Sequence, residues 1–198
     1  MKKKKDAEEI SFGDFVRLMP YMEQDNLEVN LILLNEAEKP QFILDKEVPD
    51  NLNMIDFGCY SDLCDALGEE DHIKAMQKMC EVLYPDHKQK DFDEVSVFDI
   101  WGFCNWVATE VDRINKIFSS VNIEYTEQEK KAGIDKLQFG TFGILDWYAR
   151  RMGITDQNQV NKEKWVRIYQ CMKNDAEETA YSRRLQKVYE QDAKSHRH

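Results

Sequence analysis

No apolar run in this chain approaches the roughly 20 residues that span a bilayer, so a membrane-crossing helix is not expected. The N-terminus, Met1-Lys2-Lys3-Lys4-Lys5-Asp6, has lysines but no apolar stretch behind them, so it does not read as a secretory signal. There is no Cys-x-x-Cys. The five cysteines, Cys59, Cys64, Cys80, Cys104 and Cys171, are scattered and odd in number. That pattern predicts buried free thiols in a reducing compartment. Cys59, Cys64 and His72 match no zinc-ligand spacing, so no metal site is expected. The phosphate loop, the dinucleotide fingerprint, HExxH and GxSxG are all missing. Gly140-Thr141-Phe142-Gly143 sets glycines at a helix start but lacks the lysine and the length of a phosphate loop. Only His72 and His87 lie in the body of the chain, and neither has a recognisable nucleophile partner. The expectation is a protein that is not an enzyme and takes no cofactor.

Basic residues are outnumbered by acidic ones, 27 to 38. The formal net charge of the 198 residues is −11. Residues 1–9 hold four Lys against three acids, and residues 183–198 hold five Lys or Arg against two. The middle therefore carries about −15 (−11 −1 −3). Such a body repels nucleic acid except through its basic ends, and it suits a basic partner or a mimic of nucleic acid. Asp62, Asp65, Glu69, Glu70 and Asp71 cluster around Gly68 and read as a solvated helix junction. Trp101, Trp106, Trp147 and Trp165 read as core, because a platform for bases would be surrounded by Lys and Arg. With 42% apolar and 11% aromatic residues, the chain folds and buries a core of one domain or two small ones.

One stretch recurs. Ile10-Ser11-Phe12-Gly13-Asp14-Phe15, Ile55-Asp56-Phe57-Gly58-Cys59-Tyr60 and Leu137-Gln138-Phe139-Gly140-Thr141-Phe142 share an aliphatic residue, Phe-Gly and an aromatic, each followed by Leu18, Leu63 or Leu145. We expect three copies of one device, a short extended entry packed back on the helix it opens. Ser11 and Asp56 are good helix caps at the matching place, and Gln138 is not. The uneven spacing does not fit a solenoid.

Taken in order, residues 1–9 form a basic tail. A helix follows over 13–23, its end blurred by Pro20. Alternation over Leu27–Leu34 predicts a strand, with Gln41–Leu44 as hairpin partner, and a helix over 24–37 is the rival. Helices are expected over 58–67, from the acids at 69–71 to Pro85, and over 94–119. In the last of these, Val97, Trp101, Cys104, Val107, Val111, Ile114 and Phe118 form an apolar stripe. A polar segment over 124–132 is also helical in pattern. The third Phe-Gly helix covers 140–152, and a long helix over 162–190 is capped by Asn161. The fold expected is mainly α, a bundle of about six helices with a small β-hairpin near 27–44. Its parts would be 10–93 and 94–190, with a flexible tail at 191–198.

Several segments carry a resemblance. They are Ala132-Gly133-Ile134-Asp135 leading to the Phe-Gly helix, Asp146-Trp147-Tyr148-Ala149, Trp165 to Cys171, and the basic Arg183-Arg184-Leu185-Gln186-Lys187. Pro49 to Tyr84, with Ile55-Asp56-Phe57-Gly58, adds to them. Together they resemble small acidic helical proteins of tailed-bacteriophage morphogenesis, the tail assembly chaperones. A flexible, low-complexity bridge between two modules is the feature this chain lacks. The resemblance implies a non-catalytic protein of the host cytoplasm that binds another phage protein, such as a tape-measure or connector protein. The alternatives are a structural virion subunit and an acidic DNA-mimic inhibitor. Arg183, Arg184 and Lys187 are the expected partner-binding residues. A homo-oligomer stays open, and no membrane partner is expected.

Overall fold

A computed structural model describes residues 10–121, 125–137 and 139–195. It is mainly α-helical, with one small antiparallel hairpin. Nine α-helices occur among the described residues, against the six expected. The chain divides into two compact units. Unit 1 is the chain up to Leu52 plus Cys59–Arg113, and unit 2 is Asn53–Gly58 plus the chain from Ile114 onward. The division falls at 113/114 and not at 93/94, because the long helix expected to open the second part has most of its length in unit 1.

In unit 1, α1 (Phe12–Leu18) is capped by the Ser11 hydroxyl, which accepts from Asp14 N–H at 3.2 Å. Pro20 stops it, and Met19–Tyr21 tightens into a 3-10 turn. Helix α2 (Gln24–Asn35) replaces the expected strand and matches the rival helix over 24–37. Leu27, Leu31 and Leu34 stand four and three residues apart and turn inward, while Val29 and Ile32 face out. The alternation was therefore a helical stripe with two extra aliphatics on its outer side. The hairpin lies further on, pairing β1 (Phe42–Ile43) with β2 (Lys46–Glu47) in the register Phe42 to Glu47 and Ile43 to Lys46.

Helix α3 (Phe57–Leu67) enters unit 1 at Cys59. Helix α4 (His72–Leu83) is capped by Asp71, which accepts from Ile73 and Lys74 N–H. A short α5 (Gln89–Asp93) then leads to α6 (Val97–Ser119). All seven residues of the expected α6 stripe are buried. Gly102 of this helix is needed for close approach. A Cβ there would stand 2.0 Å from the Glu38 carbonyl oxygen, so the segment before the hairpin lies directly on the helix backbone.

Unit 2 contains α7 (Glu127–Lys131), whose N-terminus is a capping box of Thr126 and Glu129. Helix α8 (Gly140–Met152) ends at Gly153, which adopts the left-handed conformation favoured at helix ends. A 3-10 turn (Gln157–Lys162) precedes α9 (Trp165–Ser195). Asn161 is therefore not the cap of the last helix, and that helix continues through the expected tail to Ser195. The tail at 1–9 and residues 196–198 lie outside the described residues. Within unit 2, Phe118 meets Phe57, Trp165 and Tyr169 at ring distances of 6.4, 5.9 and 5.9 Å.

Two of the three Phe-Gly copies share one geometry. Phe12 N–H donates to Val95 O and Phe57 N–H donates to Glu163 O, both at 2.7 Å. Ser11 bridges Ser96 and Asp56 bridges Lys164, both antiparallel, just before the first residues of α6 and α9. Gly13 lies against Asp93, and Gly58 against Asn161. The partners of the second copy are those of the first moved by 68 positions (95 to 163, 96 to 164, 93 to 161). The third copy departs from this. Phe139 and Phe142 are 66% and 62% exposed, and Gly140 has positive φ with open space around it. Phe139 is not a buried staple, so the device occurs twice, once in each unit.

Candidate functional site

The shift of 68 positions extends beyond the Phe-Gly device. It carries the start of α4 onto that of α8 (His72 to Gly140) and the start of α6 onto that of α9 (Val97 to Trp165). It also carries α5 onto the 3-10 turn (Gln89 to Gln157), and the buried Phe92 onto the buried Val160. Each unit thus holds a helix, a short helical turn and a long helix in one order and register.

Each of these helix pairs frames an open cleft. In unit 1 the cleft has a volume of about 650 Å³. Its floor comes from Ala75, Met76 and Met79 of α4 and from Trp101, Cys104 and Ala108 of α6, with Met19 and Leu31 closing one side. Glu69, Asp71 and His72 form the rim at the N-terminus of α4. In unit 2 the cleft has a volume of about 620 Å³. Gly143, Ile144, Trp147, Met172 and Ala176 stand where Ala75, Met76, Met79, Cys104 and Ala108 stand in unit 1. At the rim, Leu137 and Phe139 replace Glu69 and Asp71. The third Phe-Gly stretch is therefore a cleft rim.

The unit 1 cleft is shaped by satisfied neighbours. Trp101 donates its indole N–H to Asn35 Oδ1 at 3.2 Å and meets Phe15 edge-on at 6.1 Å. Met76 and Met79, unbranched and polarizable, are 5% and 4% exposed and fill the core beneath this floor. Cys104 gives its thiol to Met76 O, and contact with Cys80 and burial hold that thiol well above its ordinary range. It is protonated at neutral pH and is not an activated nucleophile. Elsewhere in unit 1, Glu110 is the buried charged residue of α6. It accepts from Leu52 N–H at 2.9 Å and from Arg113 at 2.8 and 2.7 Å. The Arg113 guanidinium holds its carboxyl below the usual glutamate range, against burial, with help from the Leu52 N–H.

Of the expected partner-binding residues, Arg183 is already engaged, since it donates to Glu129 of α7 at 3.2 Å. Arg184 and Lys187 are exposed on α9, apart from the residues that line the unit 2 cleft. Trp101 and Trp165 are core as expected, whereas Trp106 and Trp147 are half-buried, and Trp147 lines a cleft. Within the Gly68 cluster, burial and then Asp65 raise the Asp62 carboxyl. Among the described residues no group of His, Cys, Asp and Glu is placed to hold a metal. No helix among them is long and apolar enough to cross a membrane. Sequence reasoning missed both clefts. Met76 and Met79, beneath the first cleft, are buried like ordinary core residues, so their spacing carried no separate signal. No family model matches this chain, nor does any curated protein or solved structure.

Proposed function

We propose that this chain is a non-catalytic binding protein of particle assembly, which holds apolar helical segments of a partner in its two clefts. The observation that carries this reading is the pair of equivalent apolar clefts, one in each unit, floored by Met, Ile, Trp and Ala. Open clefts of this kind accept an amphipathic helix laid along them. In the setting suggested by the resemblance, the protein acts like a tail assembly chaperone in the host cytoplasm, and the partner is a long helix-rich phage protein.

The test is co-expression with the longest helix-rich protein encoded beside it. We expect that protein to stay soluble in a complex with the wild-type chain. It should precipitate when Ala108→Arg and Ala176→Arg block both clefts. Solubility unaffected by the double variant would overturn the reading. Retention of the protein in finished particles would replace it with the structural-subunit reading.

A further inference from the structure

The two clefts agree in their floors and differ in their charge. Unit 1 contains 25 Asp and Glu against 12 Lys and Arg, a net of −13. Unit 2 contains 13 against 15, a net of +2. The net negative charge of the chain is thus confined to one of two similarly built units. Around the unit 1 cleft, Glu28 precedes Leu31 by one turn, and Glu70 lies between the lining residues Glu69 and Asp71. Both are exposed. Glu69 and Asp71 are engaged with Lys78 and Lys74, so the charge open to a partner comes chiefly from these outer acids.

We infer that the unit 1 cleft receives a basic amphipathic helix of a partner protein, with its apolar face on Leu31, Leu67, Ile73 and Ala108, above the buried Met76, Met79 and Trp101, and its lysines or arginines toward Glu28 and Glu70. This rests on the binding-protein reading above and names the partner's chemistry. The α6 side of the cleft runs from Trp101 to Ala108. At about 1.5 Å per residue that is roughly 10 Å, two turns of a docked helix. Apolar anchors at i, i+3 or i+4, and i+7 fill such a length. The acids steer the helix in and reject an acidic one by like-charge repulsion. Unit 2 lacks this discrimination, since Leu137 and Phe139 occupy its rim.

The test uses the full chain and two labelled synthetic helices of about five turns with the same leucine spacing, one bearing lysines and the other glutamates. Fluorescence anisotropy is read at low and at physiological salt. We expect the lysine helix to bind saturably and to weaken as salt rises, and the glutamate helix not to bind. Ala108→Arg should weaken the lysine helix by about tenfold or more, and Ala176→Arg, the same change at the equivalent place, by less than about twofold. Glu28→Lys with Glu70→Lys, both at exposed positions, gives a second route to the same loss without touching the cleft floor. Sensitivity to Ala176→Arg alone, or equal binding of both helices, would overturn the inference while leaving the binding-protein reading standing. No binding of either helix also overturns the inference. If co-expression then fails to keep the partner soluble, the broader reading falls with it.

Discussion

Alanine at the glycines of the close approaches tests the packing directly, and the structure ranks the outcomes. In a helix interior, Gly→Ala alone gains about 1 kcal/mol. At Gly102 the new Cβ would meet the Glu38 carbonyl oxygen at 2.0 Å and its carbon at 2.8 Å, where 3.4 Å is the near edge of ordinary contact. Backbone must retreat by more than 1 Å, and overpacking of that kind costs about 1–3 kcal/mol or more. Because the obstacle is backbone, the cost lies at or above the top of that range, and we expect a net loss of about 2 kcal/mol or more for Gly102→Ala. At Gly13 the obstacles are Asp93 Cβ at 2.7 Å and Asp93 O at 3.1 Å. The expected loss is about 1–2 kcal/mol. At Gly58 the contacts are Asn161 Cβ at 3.0 Å and Asn161 O at 3.1 Å, so the two effects nearly cancel. A loss of about 0–1 kcal/mol is expected.

The glycine of the third copy differs in kind. Gly140 has φ +55° and nothing within 4 Å of the added carbon. Its alanine costs about 1–2 kcal/mol through the left-handed backbone alone. Urea titration followed peptide by peptide through hydrogen exchange lets the two units report separately. The effects of Gly13→Ala and Gly102→Ala should appear in unit 1, and those of Gly58→Ala and Gly140→Ala in unit 2. A neutral or stabilising Gly102→Ala would refute the contact between the segment at Glu38 and α6. A Gly58→Ala that costs more than Gly13→Ala would refute the ranking.

Three further outcomes follow from the pairs already described. Glu110→Gln should lose about 1.5–3 kcal/mol near neutral pH, because it weakens charge-assisted hydrogen bonds in a buried place. The folded carboxyl titrates below its ordinary value of about 4.3, so its contribution is present above that pH and is lost as pH falls through the lowered value. The gap between wild type and Glu110→Gln in urea midpoints should therefore close in acid. Alkylation of the native chain, read by mass spectrometry, should label Cys171 and Cys59 well before the buried Cys80 and Cys104. Arg183→Glu should lower exchange protection over 127–131 by breaking the pair with Glu129. Arg184→Glu and Lys187→Glu should each change stability by less than about 0.5 kcal/mol.

Helix α6 was legible because its apolar positions keep one face for six turns and no competing signal interrupts them. Helix α2 was legible only as the rival to a strand, since Val29 and Ile32 completed a false alternation across Leu27, Leu31 and Leu34. The hairpin was half legible: the expected strand over 41–44 contains β1, but its partner is Lys46–Glu47, because two-residue strands have too few positions to show a period. The Phe-Gly repeat was visible in its first two copies because Phe12 and Phe57 are buried and Gly13 and Gly58 are pressed against a neighbour. The shift of 68 positions was hidden. Over 69–108 against 137–176, only Gln89 with Gln157, Ile100 with Ile168 and Ala108 with Ala176 are identical. Packing asks for an apolar group of suitable size, so Phe92 and Val160, or Val97 and Trp165, serve alike while sharing no letter.

That tolerance in the core makes the rims informative. Where both units bury a residue, the chemistry stays apolar. At the cleft rim it inverts, from Glu69 and Asp71 to Leu137 and Phe139, the latter two 57% and 66% exposed. Exposed groups of this size invite association. Replacing them with the unit 1 rim, Leu137→Glu with Phe139→Asp, removes little buried surface, so the urea midpoint of unit 2 should shift by no more than the few tenths of a kcal/mol typical of surface changes. Binding of an apolar dye to the native chain should fall, because two large exposed groups beside the cleft are gone. The lysine helix, confined to unit 1 in the parent, should gain a second site that Ala176→Arg abolishes and Ala108→Arg leaves intact. A stoichiometry that stays at one would show that the rim alone does not set the preference. The wider field of unit 1, with its net of −13, would then be the determinant.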